Sequence, residues 1–409
     1  MRGAAPRRSV APARTGLTTP MLVGLGGLAM LGPFATDAFL PALPSIAGEF
    51  AVSAGAAQLT LSGVTIGMAV GQLVSGPLSD AIGRRMPLLG GSAALAVFSL
   101  LAAVAPSLPV LTLACLVLGF GAAAGATVAR AVVADLETGS ALTRGFALLG
   151  SAMALGPVIA PVVGVALMLL WGWRGVFTGM AVLAALSFVF IAVLVPESLP
   201  RSRRVRGGIR AVPAAVAAAA RTRTFWCGAL VVWFAFAATF AYIAASPYVI
   251  QEMLGFSPVG YAGAFAVNGA GVVVAGLIAA RLARRLEPQR IVVLGLSALT
   301  VGVVLVVAAV AAGMVTAWLV LPGFFLIAAS CGFYIGPSLA LAVHELRRTA
   351  GTALALVGAV QFAIAGLVSP LAVLGGPGDL TPLAVILAVG TLLAWCGWAA
   401  FRPRAPLSA

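Results

Sequence analysis

The chain has 409 residues, of which 62% are hydrophobic and only 8% are charged, and its mean hydropathy is +1.14. A soluble domain carries about 25% charged residues, so this composition excludes a protein with a fully water-exposed surface. The formal net charge is +14, and it is carried by arginines in short clusters between apolar runs, a distribution that argues against nucleic-acid binding.

Twelve apolar segments of membrane-spanning length follow one another along the sequence. Each has about 20 residues or more, the length that a helix needs to cross the hydrocarbon core. Their polarity does not alternate from residue to residue, as it would in the strands of an outer-membrane barrel. We therefore predict an all-α integral membrane protein with transmembrane helices at roughly 20–43, 57–79, 86–105, 109–133, 143–168, 174–195, 224–247, 258–280, 290–312, 316–342, 349–373 and 381–401.

The connections between these segments differ in charge on the two sides of the membrane. Every arginine except Arg130, inside the fourth segment, and Arg174 falls in the connections on one side or in the two termini. Positively charged connections stay in the cytoplasm, so we expect a multi-pass protein of the cytoplasmic (inner) membrane with cytoplasmic tails at 1–19 and 402–409. The first segment carries Asp37 and is predicted to be an uncleaved helix rather than a signal peptide.

A long polar connection divides the twelve segments into two sets of six. It covers residues 196–223 and is predicted to be a cytoplasmic linker, partly helical, on the membrane surface. Three residues recur after the second segment of each set: Gly76, Arg84 and Arg85 return as Gly276, Arg284 and Arg285. A degenerate repeat of this kind is typical of alternating-access transporters. We predict two pseudo-symmetric six-helix bundles, at 20–195 and 224–401.

The stretch from Gly76 to Arg85 joins the second and third segments and needs a tight turn. Gly83 supplies that turn without a steric penalty. Asp80 lies four residues before Arg84, which places acid and base on the same side of a helix end. Two interpretations are open: a charged cap on a helical hairpin, or a gate element of a transporter.

This stretch, Gly-Pro-Leu-Ser-Asp-Ala-Ile-Gly-Arg-Arg, is similar to the loop motif of the major facilitator superfamily, with Ala81 where an arginine is usual. The resemblance extends over nearly the whole chain and, within the superfamily, points to the Bcr/CflA-type multidrug exporters. It implies that Asp80 caps or pairs near the start of the eleventh helix, at about Thr349, and that Arg84 pairs with Asp135. The implied cytoplasmic gate consists of Gly76, Asp80, Gly83, Arg84, Arg85 and Asp135.

Other stretches resemble the same branch. Thr36–Pro44 is similar to its first-helix signature, Ala129–Leu136 to the end of its fourth helix, and Phe240–Pro247 to its seventh helix. One departure concerns Cys115, which stands where the family's fourth helix usually has an arginine implicated in proton coupling. This departure puts proton coupling by that route in question.

The fifth segment resembles the motif associated with antiporters, through Gly156, Pro157, Pro161 and Gly164. Proline removes backbone hydrogen bonds and kinks a helix, whereas glycine lets a neighbouring helix approach closely. We expect the kinked face of this segment to seal against the eighth segment, which is also rich in glycine. The alternative is an ordinary proline-containing membrane helix.

Asp37 is the strongest candidate for a transport site, because it is the acid most clearly inside a segment. Charge in hydrocarbon is costly, so Asp37 is predicted to bind a proton and to release it when a cationic drug arrives. The alternative is a helix-end acid already in water, since Pro41 and Pro44 follow closely. A drug cavity would be apolar and aromatic with few polar groups. Its candidates are Gln72, Trp233, Phe236, Tyr242, Asn268, Phe333, Tyr334 and Gln361.

These observations predict a monomeric secondary transporter that exports small amphipathic drugs or toxic metabolites by proton antiport with alternating access. Its expected partners are the lipid bilayer, protons and a small-molecule substrate, with no nucleic acid. The sequence shows no nucleotide-binding motif and no metal or catalytic constellation, so we expect no cofactor, no metal and no enzymatic activity. An exporter or uncoupled facilitator of one endogenous metabolite stays open because of Cys115. A membrane enzyme, a sensor or an uncoupled channel is disfavoured.

Overall fold

A computed structural model describes residues 17–204, 213, 216–217, 219–346, 350–376 and 378–402. All regular secondary structure within these residues is helical. The helices are α1 (Thr19–Asp37), α2 (Leu43–Glu49), α3 (Ala54–Ile82), α4 (Arg85–Ala103), α5 (Leu108–Leu136), α6 (Gly139–Leu194), α7 (Arg223–Pro247), α8 (Pro258–Leu282), α9 (Pro288–Ala311), α10 (Ala317–Val343), α11 (Ala350–Leu371) and α12 (Thr381–Phe401). In this part of the chain, 11 helical stretches are long and apolar enough to cross a membrane.

The longest helix, α6, reverses its direction. It has 56 residues, which would span about 84 Å if straight, whereas the hydrocarbon core is about 30 Å thick. Trp171 and Gly172 have non-helical backbone angles, with φ of −137° and 64°. A methyl group added to Gly179 would collide with the side chain of Leu167. Residues so far apart along one helix meet only where the chain turns back, so α6 folds on itself at Trp171–Gly172.

The helix ends form two faces of the molecule. Arg84 at the start of α4 contacts Asp135 at the end of α5. Trp173, just after the turn of α6, contacts Glu49 at the end of α2. The arginine face holds Arg84, Arg85, Arg144, Arg223, Arg281, Arg284, Arg285, Arg290 and Arg402, and the opposite face holds Glu49, Arg174, Glu252 and Asp379.

Small residues allow close helix packing. Gly63, Gly67 and Gly71 recur every four residues on α3, and a methyl group on any of them would clash with backbone atoms of α5. Without a hydrophobic drive between helices in lipid, such close van der Waals contact is a main source of helix association. Two other helix pairs, α3 with α11 and α6 with α8, join the first part of the chain (α1–α6) to the second part (α7–α12).

The predicted all-α architecture is confirmed, and the helix bounds follow the predicted segments closely with two differences. The first segment, predicted to reach residue 43, ends at Asp37 and continues as a 3-10 turn at Leu40–Ala42, because Pro41 lacks the N–H that an α-helix needs. The fifth and sixth segments are joined into α6 across its turn. The central part of the predicted linker, at 205–212, 214–215 and 218, and the outer parts of both tails lie outside the described residues.

Candidate functional site

Asp37 is buried at the break where α1 ends. Only 5% of its surface is exposed, and it is the single buried residue among the ten acidic residues of the chain, all of which are described. The Thr36 hydroxyl donates to Asp37 Oδ1 at 2.8 Å. A buried carboxylate with one hydroxyl donor among the described residues is costly in an apolar segment, so Asp37 is a candidate functional residue.

Aromatic and polar side chains of α7 and α8 face this carboxyl. Asp37 lies within electrostatic range of the Tyr242 and Tyr261 hydroxyls. Asn268 Nδ2 donates to the Tyr242 hydroxyl at 2.8 Å, and the Ser246 and Tyr261 hydroxyls lie 3.1 Å apart. Because Tyr242 accepts from Asn268, its own proton is free for another acceptor. The structure therefore brings two predicted cavity residues, Tyr242 and Asn268, to the Asp37 site.

Glycines of the antiporter-like motif allow α6 to approach α1 next to Asp37. A methyl group on Gly164 would collide with the Ala38 carbonyl oxygen, and one on Gly156 would collide with the Pro33 ring. The two motif glycines thus contact α1 rather than α8. Their positions fix the backbone on either side of the Asp37 carboxyl.

The two motif prolines lie on a helix that continues through them. Pro157 and Pro161 are inside α6, whose non-helical residues are found only at its turn. The expected contact with the eighth segment is made by Gly269 of α8, where an added Cβ would lie 3.1 Å from the Pro157 carbonyl carbon and 2.9 Å from Val158 Cγ2. This contact joins the first and second parts of the chain beside the Asp37 site.

Arg84 is the centre of a charged cluster at the arginine face. Its Nε lies 2.9 Å from Asp135 Oδ2, and its Nη1 lies 2.5 Å from Asp80 Oδ1 and 2.6 Å from Ser79 Oγ. Burial by itself lowers the pKa of Arg84, but Asp135 and Asp80 outweigh it and raise that pKa above its ordinary value. The structure places Arg84 against Asp135 as the family resemblance implies. The implied contact of Asp80 near Thr349 falls outside the described residues.

The first residues after α6 dock on the turn before α4. Glu197 accepts hydrogen bonds from the backbone N–H groups of Arg84 at 2.8 Å and Arg85 at 3.4 Å. These N–H groups open α4 and have no partner within the helix, so a carboxylate satisfies them and complements the helix dipole. Gly83 has φ of 104°, and a methyl group there would collide with the Glu197 carboxylate. Glycine is therefore required at this turn both for its backbone angle and for space.

The two remaining residues of the implied gate have different surroundings. Arg85 Nη2 donates to the Ala192 carbonyl at 2.5 Å, which links the start of α4 to the end of α6. Gly76 has no neighbour within 4 Å of the position that a Cβ would take. Its place in the motif therefore has no packing reason in this conformation.

A polar seal near the opposite face joins α3 to α7 and α11. Gln58 Nε2 donates to the Ala244 carbonyl, and Ser369 Oγ donates to Gln58 Oε1 at 3.0 Å. One turn further along α3, Ser62 Oγ donates to the Gly366 carbonyl at 2.6 Å. Within the described residues, every hydrogen bond between the first and second parts of the chain lies towards the opposite face.

The other predicted cavity residues are spread over the second part and its contact with α3. Trp233 Nε1 donates to the Val357 carbonyl at 2.9 Å, and the Tyr334 hydroxyl lies 3.3 Å from Thr239 Oγ1. Both are buried packing contacts within the second part. Gln72 lies directly against Gly358 of α11.

Aromatic rings line the boundary between α7 and α11. Phe236 packs on Phe362, with ring centroids 5.9 Å apart. Phe236, Phe333 and Gln361 are half-buried. These three residues are not part of the Asp37 site.

Sequence reasoning missed the seal and the docking carboxylate. Gln58 lies inside a predicted segment just as Gln72 does, so the need of a buried amide for partners was a signal that applied to both residues. Tyr261 carries the same kind of signal, as a hydroxyl in an apolar segment. Glu197 carries none, because its partners are backbone N–H groups of a helix more than a hundred residues earlier.

Comparison with known proteins agrees with this architecture. The Major Facilitator Superfamily model matches residues 25–370. An uncharacterized MFS-type transporter, YdgK of Bacillus subtilis, is 32% identical over 85% of this chain and 87% of its own. A bicyclomycin resistance protein homolog of Haemophilus influenzae is 25% identical over 86% of this chain and 88% of its own. The xylose transporter XylE of E. coli, in a partially occluded inward open conformation, superimposes with a TM-score of 0.73 at 15% identity, covering 95% of this chain and 99% of XylE. Since the family model covers most of the sequence and the fold agrees with it, the chain belongs to the major facilitator superfamily.

Proposed function

We propose that this transporter exports small amphipathic drugs or toxic metabolites across the cytoplasmic membrane in exchange for protons. Membership of the superfamily makes the chain a transporter rather than an enzyme. The relative from Haemophilus influenzae is named as a bicyclomycin resistance protein homolog, which supports a drug as cargo. The observation that carries the proposal is Asp37, a buried acid at the break of a spanning segment, facing tyrosines of the other part of the chain.

The proposed membrane arrangement has twelve crossings in two six-helix bundles, at 20–195 and 224–401, with a cytoplasmic linker at 196–223. The reversal of α6 supports two crossings in that helix. The ends of α3 and α8 at Ile82 and Leu282, offset by 200 residues, support the internal symmetry. The positive-inside rule places the arginine face and both termini in the cytoplasm. A monomer is the proposed working unit.

The uneven contacts between the two proposed bundles support alternating access. The described hydrogen bonds between them lie towards the opposite face, whereas the Arg84 cluster at the arginine face involves only the first bundle. This conformation is therefore sealed on the proposed outer side. Export requires a second conformation in which the seal at Gln58 opens and the cytoplasmic side closes.

Proton exchange supplies enough energy for export. One net charge that crosses a potential of about 100 mV contributes about 2.3 kcal/mol, and about 1.4 kcal/mol corresponds to a tenfold concentration ratio. One charge per cycle therefore supports a substrate gradient of roughly fortyfold. A single titrating carboxyl, Asp37, is sufficient for one proton per cycle. This exchange moves one net charge when the cargo is neutral, whereas exchange for a monovalent cation is electroneutral and is driven by the pH gradient alone.

The test uses inverted membrane vesicles with an imposed pH gradient and a fluorescent lipophilic cation as the probe. We expect Asp37→Asn to abolish uptake driven by the pH gradient while the protein inserts and unfolds at the normal temperature. Glu49→Gln is the matched control, because Glu49 is an exposed acid at the opposite face, paired with Arg174 at 2.5 Å. Wild-type uptake by Asp37→Asn would show that Asp37 does not couple proton movement to export.

A second candidate function is an exporter or uncoupled facilitator of one specific endogenous metabolite. Cys115 favours it, because this buried thiol stands at the position of the family arginine. A protonophore separates the two functions. Loss of drug resistance in treated cells supports antiport, whereas transport of a single metabolite that is insensitive to the protonophore supports the facilitator.

A further inference from the structure

A groove opens at the arginine face between the start of α9 and the end of α12. It has a volume of about 520 Å³. Polar and charged groups line its mouth, and apolar side chains form its wall. The lining residues are Leu286, Glu287, Gln289, Arg290, Val293, Leu294, Trp398 and Arg402.

The side chains that line this groove carry an excess of positive charge. Arg290 and Arg402 are exposed and form no ion pair with an acidic side chain, although every acidic side chain of the chain is described. Glu287 is the one acid in the lining. Arg284 and Arg285, in the connection between α8 and α9, are also exposed but do not line the groove. The groove therefore attracts an anion.

Trp398 gives a second, independent indication of a ligand. The residue is only 5% exposed, but its indole N–H, which donates to no described residue, is not among the buried polar atoms without a partner. The other buried tryptophans behave differently, since Trp173 donates to Glu49 at 2.6 Å and Trp233 to the Val357 carbonyl at 2.9 Å. A buried indole N–H normally has an acceptor. The Trp398 N–H is therefore accessible from the groove and available to an acceptor there.

The same two helices form a second, separate depression beyond the hydrogen bond from Trp395 Nε1 to Thr300 Oγ1. This depression of about 390 Å³ lies further along α9 and α12 and is lined almost wholly by apolar side chains, including Val303, Val307 and Leu392. A free phosphate would make no favourable contact with such an apolar surface, whereas the acyl chain of a lipid would. The charged groove and the apolar depression match the headgroup and the acyl tail of one lipid molecule.

We propose that this groove binds an anionic phospholipid. Its phosphodiester lies between Arg290 and Arg402 and accepts a hydrogen bond from the Trp398 indole, and an acyl chain lies along α9 and α12. Basic pockets between transmembrane helices at a membrane face are typical sites for acidic lipid headgroups. The site is separate from the Asp37 site and does not depend on the proposed export activity.

The test is native mass spectrometry of the purified full chain with phosphatidylglycerol, phosphatidylcholine of the same acyl chains, and glycerol 3-phosphate. We expect phosphatidylglycerol to bind at least tenfold more tightly than phosphatidylcholine and glycerol 3-phosphate not to bind. The double variant Arg290→Gln/Arg402→Gln should lose at least fivefold of this preference, and Trp398→Phe should lose part of it.

The matched control is Arg284→Gln/Arg285→Gln, which removes the same charge from the same face outside the groove. This control should keep the wild-type preference. Equal losses in both double variants would overturn the proposal in favour of general attraction to basic residues. Equal binding of the two phospholipids, or tight binding of glycerol 3-phosphate alone, would also overturn it. All four arginines are exposed, so these variants leave the helix packing intact.

Discussion

Replacement of Gln58 by leucine tests whether the polar seal holds the opposite face closed. The side chain makes two buried hydrogen bonds, one to Ala244 and one with Ser369. Interhelical hydrogen bonds in membrane proteins contribute about 0.6 kcal/mol each on average and up to about 1.7 kcal/mol. The two bonds therefore stabilise the closed state by about 1–3 kcal/mol. Their loss should change the ratio of closed to open molecules by about 5- to 150-fold.

Distances between spin labels across the seal measure this ratio directly. Labels on cysteines introduced at Ala51 and Leu374, which are exposed residues of the first and second parts at the opposite face, report its opening. Cys396 is the exposed native cysteine and is first replaced by serine. We expect Gln58→Leu to shift the distance distribution from a short population towards a longer one.

The control removes a hydrogen bond from the same helix without removing an interhelical contact. Thr60 is buried in α3, and its hydroxyl donates at 2.7 Å to the Ala57 carbonyl, three residues earlier in the same helix. Thr60→Val should keep the wild-type distance distribution. A Gln58→Leu variant with the same distribution as wild type would refute the seal, because the two lost bonds would then have no influence on opening.

Three further predictions concern the turn, the charged cluster and the approach of α6 to α1. Gly83→Ala should destabilise the protein by about 1–3 kcal/mol, because it forces a side chain into a glycine-only backbone region; an unchanged unfolding temperature in detergent would contradict this. Arg84→Ala should reduce export severalfold in a drug-susceptibility assay by leaving two carboxylates together, whereas Arg144→Ala, an exposed arginine on the same face, should not. Gly164→Val should abolish export in vesicles, whereas Gly150→Val, which has open space around it, should retain it.

The sequence was sufficient for those features that depend on local patterns. The apolar segments predicted the helices, because length and hydropathy determine what can lie in hydrocarbon. The turn at Gly83 and the spacing of Asp80 and Arg84 were readable for the same reason, since both are properties of a few adjacent residues. The end of α1 at Asp37 was misjudged by a few residues, because the apolar run continues through Pro41 although the α-helix does not.

Features that depend on distant contacts were not readable from local patterns; the contact of Arg84 with Asp135 was expected only from the family resemblance. Glu197 meets the start of α4 only because α6 reverses at Trp171–Gly172 and returns to the arginine face. The proximity of Asp37 to Tyr261 likewise depends on how α1 lies against α7 and α8. Hydropathy gives each helix its length but no information about which faces meet, since every face of such a helix is apolar.

The position of the hydrogen bonds also limits what the Arg84 cluster can do in this conformation. Arg84, Asp80, Asp135 and Glu197 all belong to the first part of the chain or to the residues just after it, so their contacts hold α3, α4 and α5 together rather than joining the two bundles. Asp80 keeps 47% of its side chain exposed and is therefore available to a new partner. A gate role requires that partner to come from the second bundle when the arginine face closes. In the proposed alternating-access cycle, the cluster is a preformed surface, and the seal at Gln58 and the contact that Asp80 makes after closure both contribute to the energy difference between the two conformations.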